Sequence, residues 1–343
     1  MGPPDIERVI SSKSLCVPAN TLTAPYDYLH SLPSNNDRIR STFLAGINES
    51  FFRISDAAVI SEISAVIEIF HGASLLIDDI EDDSAFRRGQ PCAHIRYGVP
   101  ATLNSGNLMY FVAMRRAFQA LPPHYTHTKG GSASALVAFR SQMVDVFVEE
   151  MVNLHTGQGF DIYWRDNLAQ LMKTGMPSIE DYLQVVMHKT GGLFRLAVRT
   201  LGLFAGDAFQ MHSRRSEGLV ELANLLGIIY QIRDDYLNLV DERYAESKGS
   251  FGEDLIEGKL SLPILYTLLH SGDNTVLHTL YDELKSPQER RADLDRLAEA
   301  RCFVADSGAL QYTYSLLQEY VEKARSILAA VNKPEAFSKE PKQ

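Results

Sequence analysis

The sequence predicts an all-α fold, a single large helical bundle. Apolar residues recur at three- and four-residue spacing through most of the 343 residues, the period of helices with one buried stripe. No run alternates apolar and polar residues between turn signals as a strand would. The polar linkers are too short to separate independent cores, and no fixed-period repeat is present. With 45% hydrophobic and 22% charged residues, the chain has ample material for one large core.

The elements follow in order. Residues 1–25 are rich in Pro, Ser and Thr without periodicity and read as an irregular N-terminal arm. The domain proper covers 26–331. An amphipathic helix begins within 26–53, with Ile39, Phe43, Ile47 and Phe51 on one stripe. The next helix carries Ile60, Ile63, Ile67, Phe70, Ser74 and Ile77 and runs to about Asp83. After a loop over 87–100, a helix over 101–120 is expected to stop before Pro122 and Pro123, because proline cannot donate to the helix ladder. Residues 122–132 read as a linker, and a long helix follows over 134–161. Residues 167–177 read as loop, and Pro177-Ser178-Ile179-Glu180-Asp181 has the composition of a helix start. Helices are then expected over 179–188, 191–205, 216–240, 261–271, 274–285, 288–304 and 308–331. Residues 332–343 form a polar tail.

The chain is organised around residues 75–89, LLIDDIEDDSAFRRG. Five carboxylates fall within six positions at the end of an apolar helix, and Arg87 and Arg88 follow. Continuing the helix stacks Asp78 above Asp82 and Asp79 above Asp83, where like charges repel. Acid at a helix C-terminus is further opposed by the backbone dipole. A hard cation such as Mg²⁺ removes the conflict, and Mg²⁺ usually shares its shell with phosphate oxygens. The two arginines can hold phosphate by forked hydrogen bonds. A solvated acidic helix end beside a basic loop is the alternative.

A second helix, NLLGIIYQIRDDYLNLVD over 224–241, delivers Asp234 and Asp235, with Gln231 and Asn238 on the face of Asp234 and Lys248 and Lys259 downstream. One such pair is ordinarily a solvated surface feature. Two acid-ended helices facing across a bundle would clamp a diphosphate through several Mg²⁺ ions. HKTGGLF places Lys189 and Thr190 before two glycines, which permit close backbone approach. GQGFDIYWRD sets Gln158 and Asp161 three residues apart, able to line a polar pocket. No GxSxG, HExxH, GxGxxG or GxxxxGK[ST] pattern is present, and the chemistry expected from the acidic clusters is electrostatic and metal-assisted.

A net charge of −10 argues against nucleic acid as partner, while a small anion bridged by metal ions remains compatible with it. Cys16, Cys92 and Cys302 are widely spaced and suggest a reducing compartment. No basic-then-apolar leader opens the chain, and no apolar run reaches the length of a membrane span. The expected location is cytoplasmic.

Taken together, DDIED with RRG, QIRDDYLN, KTGG, GQGFDIYWRD and EDLIEGKLSLP resemble the trans-isoprenyl diphosphate synthases, most nearly the fungal geranylgeranyl type. The resemblance covers roughly residues 26–269. It implies a Mg²⁺-dependent prenyltransferase, with about three ions per site, that condenses isopentenyl diphosphate with dimethylallyl, geranyl or farnesyl diphosphate. It implies that Asp78, Asp82 and Asp234 bind metal and that Asp79 supports them. Arg87, Lys189, Thr190, Gln231, Asn238, Lys248 and Lys259 would grip the allylic diphosphate. Arg40, His71 and Arg88 would bind isopentenyl diphosphate. It also implies a homodimer or higher homo-oligomer.

Two features depart from the family. The stretch LPSNNDRIR lacks the usual lysine before the first arginine, so that either Arg38 replaces it or isopentenyl diphosphate binds more weakly. The second aspartate motif ends in Asn238, as in geranylgeranyl types. Product length has a physical handle: Ala73 and Ser74 lie about one turn deeper than Asp78 and are small. By resemblance Tyr110, Phe111 and His155 form the tunnel floor, and the expected product has twenty carbons. The rival readings are a class I terpene cyclase, a non-catalytic regulatory subunit, and a prenyltransferase domain of a bifunctional terpene synthase.

Overall fold

A computed structural model of the chain describes residues 20–33, 37–129, 131–205, 214–241, 252–284 and 286–331. Sixteen α-helices account for nearly all of the described secondary structure. The N-terminal half contains α1 (Asn20–Ser31), α2 (Asp37–Ile47), α3 (Ala57–Glu81), α4 (Ala93–Tyr97), α5 (Val99–Lys129) and α6 (Ala133–Asp166). Then come α7 (Leu168–Thr174), α8 (Ile179–Lys189), α9 (Gly191–Ala205) and α10 (Arg214–Val240). The chain closes with α11 (Glu253–Glu257), α12 (Leu262–His270), α13 (Thr275–Glu283), α14 (Pro287–Ala292), α15 (Leu294–Asp306) and α16 (Ala309–Val331). The all-α expectation is met. The only described strands form a hairpin just after the first acidic cluster, in which Phe86–Arg87 pairs antiparallel with Gln90–Pro91.

Two apolar clusters bracket the site. One joins α2, α3, α5, α6, α9, α10 and α16 around Phe70, Phe147, Met143, Leu196 and Leu219. The other joins the end of α6 with α8, the C-terminal part of α10 and the helices after it, around Trp164, Tyr182, Ile232, Leu262 and Leu265. The acidic end of α3 and the motif-bearing stretches of α6, α8 and α10 meet where these clusters adjoin.

Several local expectations are overridden by tertiary packing. Residues 20–25 belong to α1 and not to an irregular arm, because Tyr26 and Leu29 are buried with Ala73, Leu76 and Met109. The helix after the hairpin continues through Pro122 and Pro123 to Lys129. Leu121 and Pro122 are buried there and Tyr125 stacks on Phe139 at 4.2 Å, contacts that outweigh the missing amide donors. The expected loop over 167–177 contains α7, anchored by buried Leu168. The expected helix over 288–304 is two helices, broken at Asp293, whose side chain accepts from the Arg296 N–H at 3.2 Å and caps α15.

One helix, α3, is after all long and apolar enough to cross a membrane by length and composition. Val59, Ile63, Val66, Phe70 and Leu76 are buried in the bundle, so its apolar character is that of a central core helix.

Candidate active site

The first acidic cluster sits where α3 stops. Asp82 caps the helix, its N–H donating to the Asp78 carbonyl at 2.9 Å, so these two carboxylates remain one turn apart. Asp83 does not continue the stack above Asp79. Its φ of 51° turns it out of the helix, and its side chain is exposed and accepts from Gln288. Asp79 turns the opposite way. It is 1% exposed and bound by Arg87, whose Nε donates at 2.8 Å. Arg87 also reaches Asp78 at 3.2 Å, so Asp79 fixes the guanidinium beside the first carboxylate. Burial opposes the charge on Arg87, yet Asp79 and Asp78 raise its pKa above the usual arginine value.

The end of α6 faces this cluster with three residues on one face. Gln158 donates to Glu81 at 2.8 Å and to Asp78 at 3.3 Å. Asp161 accepts from Lys189 Nζ at 2.6 Å, and Arg165 donates to Asp82 at 2.6 Å. Lys189 lies 3.3 Å from Asp78 as well and so bridges α3 and α6. Burial would lower its pKa, but Asp161, Asp78 and Asp82 hold it above the usual lysine value. Asp82 is pushed up to about 7, first by burial and then by the charge of Asp78, an effect that Lys189 and Arg165 do not cancel. Burial and the neighbouring Asp78 carboxylate therefore disfavour the ionised form of Asp82 in the metal-free chain.

Glycines set these distances by letting helices touch. A Cβ on Gly157 would stand 2.6 Å from the Lys189 nitrogen, so α6 crosses α8 backbone to backbone. A Cβ on Gly227 would stand 2.5 Å from the Gly191 Cα, so α10 crosses the start of α9 in the same way. The KTGG glycine thus makes room for a helix and not for a ligand. The crossing brings Gln231, one turn beyond Gly227, to Thr190, whose Oγ1 donates to Gln231 Oε1 at 2.9 Å.

In the second cluster the adjacent aspartates part ways. Asp235 is 1% exposed and accepts from Tyr182 Oη at 2.6 Å, Gln231 Nε2 at 2.8 Å, the Leu262 N–H at 2.9 Å and Lys259 Nζ at 3.1 Å. Asp234 is a quarter exposed and lies 3.4 Å from Arg233. Lys259 also lies 3.8 Å from Asp254. Burial would lower its pKa, but Asp235, Asp254 and Asp161 hold it well above the usual lysine value. Asn238 is buried, and its side-chain oxygen accepts from the Asp254 N–H at 3.1 Å, so it anchors the loop leading to Lys259. Lys189 pairs with Asp78 and Asp161, Lys259 pairs with Asp235, and the charges of Asp161 and Lys259 influence one another across the space between the two acidic helices. Lys248 lies outside the described residues, as does the side chain of Arg38.

A second basic group forms around His71. Arg40 makes a forked pair with Glu68 at 3.0 and 3.1 Å. Arg88, with φ of 56°, points Nη1 toward the Leu29 and Leu32 carbonyls at 3.5 Å. Burial and the positive charges of Arg40, Arg88 and Arg87 together hold the His71 imidazole well below its usual pKa, which keeps it neutral near pH 7. Arg40, His71 and Arg88 are thus brought together by the fold.

Of the residues assigned to chain length, Ser74 donates to the His71 carbonyl at 2.8 Å, and Ala73 is fully buried against α1 and α5. Tyr110 meets His155 at 5.3 Å and Phe70 at 6.0 Å. Phe111 is not with them: it is 70% exposed on the outer side of α5.

Sequence reading passed over Arg165, although it lies on the face of Gln158 and Asp161 at helical spacing, which was signal enough. It also passed over Tyr182, whose hydroxyl is recognisable only from its contact with Asp235. Among the described residues no group of three or more acidic, His or Cys side chains closes into a metal cage. Mg²⁺ ordinarily takes one or two carboxylates and fills its shell with water and phosphate. The crowded charge on Asp78 and Asp82 is the kind a hard cation relieves, so the donor set fits.

An all-helical bundle with two acid-ended helices and lysines between them defines a class of proteins that handle diphosphates with metal ions. The chain belongs to the polyprenyl synthetase family, whose signature it matches over residues 19–299. Members of that family are generally Mg²⁺-dependent. The chain is 42% identical over 294 residues to a geranylgeranyl pyrophosphate synthase of Eremothecium gossypii, covering 85% of this chain and 83% of the relative. It is 37% identical over 339 residues to one of Emericella nidulans, covering 98% and 74%. A third, from Macrophomina phaseolina, is 37% identical over 321 residues, covering 94% and 86%.

Proposed function

We propose that the chain is a trans-prenyltransferase that condenses isopentenyl diphosphate with dimethylallyl, geranyl and farnesyl diphosphates to give geranylgeranyl diphosphate. The observation that carries this reading is the meeting of Asp78, Asp82, Lys189 and Lys259 in one charged site beside an apolar core. Asp78, Asp82 and Asp234 would hold Mg²⁺, about three ions per site, and bound Mg²⁺ would neutralise the diphosphate and stabilise it as a leaving group.

Lys189, Lys259 and Arg87 donate to the allylic diphosphate, which leaves with the electrons of its C–O bond. Arg40, His71 and Arg88 hold isopentenyl diphosphate, with His71 as a neutral hydrogen-bonding partner. Its double bond attacks the allylic carbocation, a new C–C bond forms, and a proton is lost to the pyrophosphate. The apolar walls around Phe70 and Phe147 keep water from the cation.

Ser74 leaves the passage below Asp78 open, and the ring group of Tyr110, His155 and Phe70 provides the floor. Val137, Val144, Val148 and Val152 expose an apolar stripe on α6, Phe111 is exposed on α5, and a homodimer that covers them accounts for that exposure.

The test is incorporation of labelled isopentenyl diphosphate with each of the three allylic primers, with and without Mg²⁺, reading chain length after dephosphorylation. Mg²⁺-dependent geranylgeraniol supports the reading. A cyclised hydrocarbon from one allylic diphosphate, or no incorporation from any primer, contradicts it. Light scattering of the free protein reads the dimer separately.

A further inference from the structure

The short helix α14 supplies no residue to either acidic cluster, yet three of its side chains hold the segments that leave them. Gln288 donates to Asp83, and Arg291 pairs with buried Glu253. Arg290 is the central one. It is 5% exposed, and its guanidinium donates to the carbonyls of Ile256 at 2.6 Å, Leu284 at 2.7 Å and Glu257 at 3.1 Å. It also lies 5.5 Å from the Tyr281 ring centroid. A planar fork of fixed donors is suited to holding several carbonyls in one geometry.

What Arg290 holds is the turn that presents Lys259. Gly258 adopts φ of 78°, and a Cβ there would stand 3.3 Å from Arg290 Nη2. The N–H groups of Gly258 and Lys259 both donate to the Asp254 carbonyl, at 3.1 and 3.0 Å. Lys259 then projects to Asp235 at 3.1 Å. The start of this loop is fixed by Asn238, through the Gly252 and Asp254 N–H groups. Its end is fixed by Arg290. Glu257, within the same loop, accepts from Ser84 at 3.4 Å, just beyond the first cluster.

We propose that Arg290 is a positioning residue that sets the reach of Lys259 into the diphosphate site by clamping the turn at Ile256, Glu257 and Gly258. The proposal rests on the reading above that Lys259 grips the allylic diphosphate. Losing the clamp lets the ammonium wander, which weakens the allylic ligand and leaves the isopentenyl diphosphate group around His71 untouched.

The test uses Arg290→Lys, which keeps the charge and loses the fork, and Gly258→Ala, which strains the same left-handed turn and crowds Arg290 Nη2 while leaving the guanidinium fork in place. Each is measured alone and with Lys259→Met. The readouts are affinity for a non-ionising farnesyl thiolodiphosphate with Mg²⁺, KM for isopentenyl diphosphate, and thermal midpoint. Both single variants should weaken the analogue roughly tenfold, the scale of one charge-assisted contact. KM for isopentenyl diphosphate should stay unchanged. In the Lys259→Met background neither should weaken the analogue further, because the effect passes through Lys259. Additive losses, or a fall in thermal midpoint with unchanged analogue affinity, would overturn the positioning role. If Lys259→Met alone leaves analogue affinity unchanged, it is the reading of Lys259 that fails.

Discussion

Asp234 and Asp235 are neighbours in sequence with opposite environments, and replacing each by alanine separates their roles. Asp235→Ala removes the acceptor for four donors, at 2.6 to 3.1 Å. Breaking a buried ion pair from one side costs about 3–5 kcal/mol. Lys259 keeps Asp254 at 3.8 Å and is 20% exposed, which places the ionic part at the lower end of that range. Tyr182 and the Leu262 N–H are also orphaned, and each buried donor left unmade costs about 1–3 kcal/mol, not additively. The expected loss for Asp235→Ala is therefore at least about 3 kcal/mol. Asp234→Ala removes a side chain that is a quarter exposed and should change stability by under about 1 kcal/mol. Urea unfolding of the two variants and the parent, followed by circular dichroism and fluorescence, reads the difference from midpoint and slope. Activity with Mg²⁺ should fall steeply for Asp234→Ala at unchanged stability. A loss below about 1 kcal/mol for Asp235→Ala, or comparable destabilisation by both variants, would refute the division of labour.

Further outcomes follow from the site. Ser74→Phe should shorten the product, and Tyr110→Ala should lengthen it. Phe111→Ala should leave chain length unchanged and weaken self-association instead, all read by chromatography of dephosphorylated products and light scattering. Ala73→Phe enters a filled site and should also lower stability by about 1–3 kcal/mol. The Asp82 carboxyl is raised from 3.8 to about 7 in the folded chain. The stability it lends is thus present in full below about pH 4 and is lost as pH rises toward 7 in metal-free protein. Mg²⁺ must displace that proton, so calorimetric Mg²⁺ affinity with pyrophosphate should weaken as pH falls below about 7. Asp82→Asn should flatten that dependence, and an unchanged slope would sink the assignment.

The fold class was legible because helical periodicity runs through nearly every segment. The acidic cluster was legible because stacking Asp78 on Asp82 makes no sense on an ordinary helix. What escaped was set by contacts distant in sequence. The helix through Pro122 and Pro123 depends on Tyr125 meeting Phe139 and Phe204, which no local rule can see. Asp79 and Asp83 were expected to stack on one face, but the left-handed turn at Asp83 takes it out of the helix while Asp79 stays buried. Nothing in PQERRA sets Arg290 apart from its charged neighbours, and only the fold buries it against the loop that carries Lys259. Phe111 shared a dipeptide with Tyr110, yet 100° of helical rotation puts them on different faces.

The central claim is that the two acid-ended helices clamp one diphosphate through metal ions. A crystal soaked with Mn²⁺ and farnesyl thiolodiphosphate, with the ions located by anomalous scattering, tests it most directly. The account predicts ions at Asp78 and Asp82 and another at Asp234, all sharing the same diphosphate, with Lys189 and Lys259 on its oxygens. A diphosphate bound away from one of the two helices, or metal held by Asp235 in place of Asp234, would contradict it.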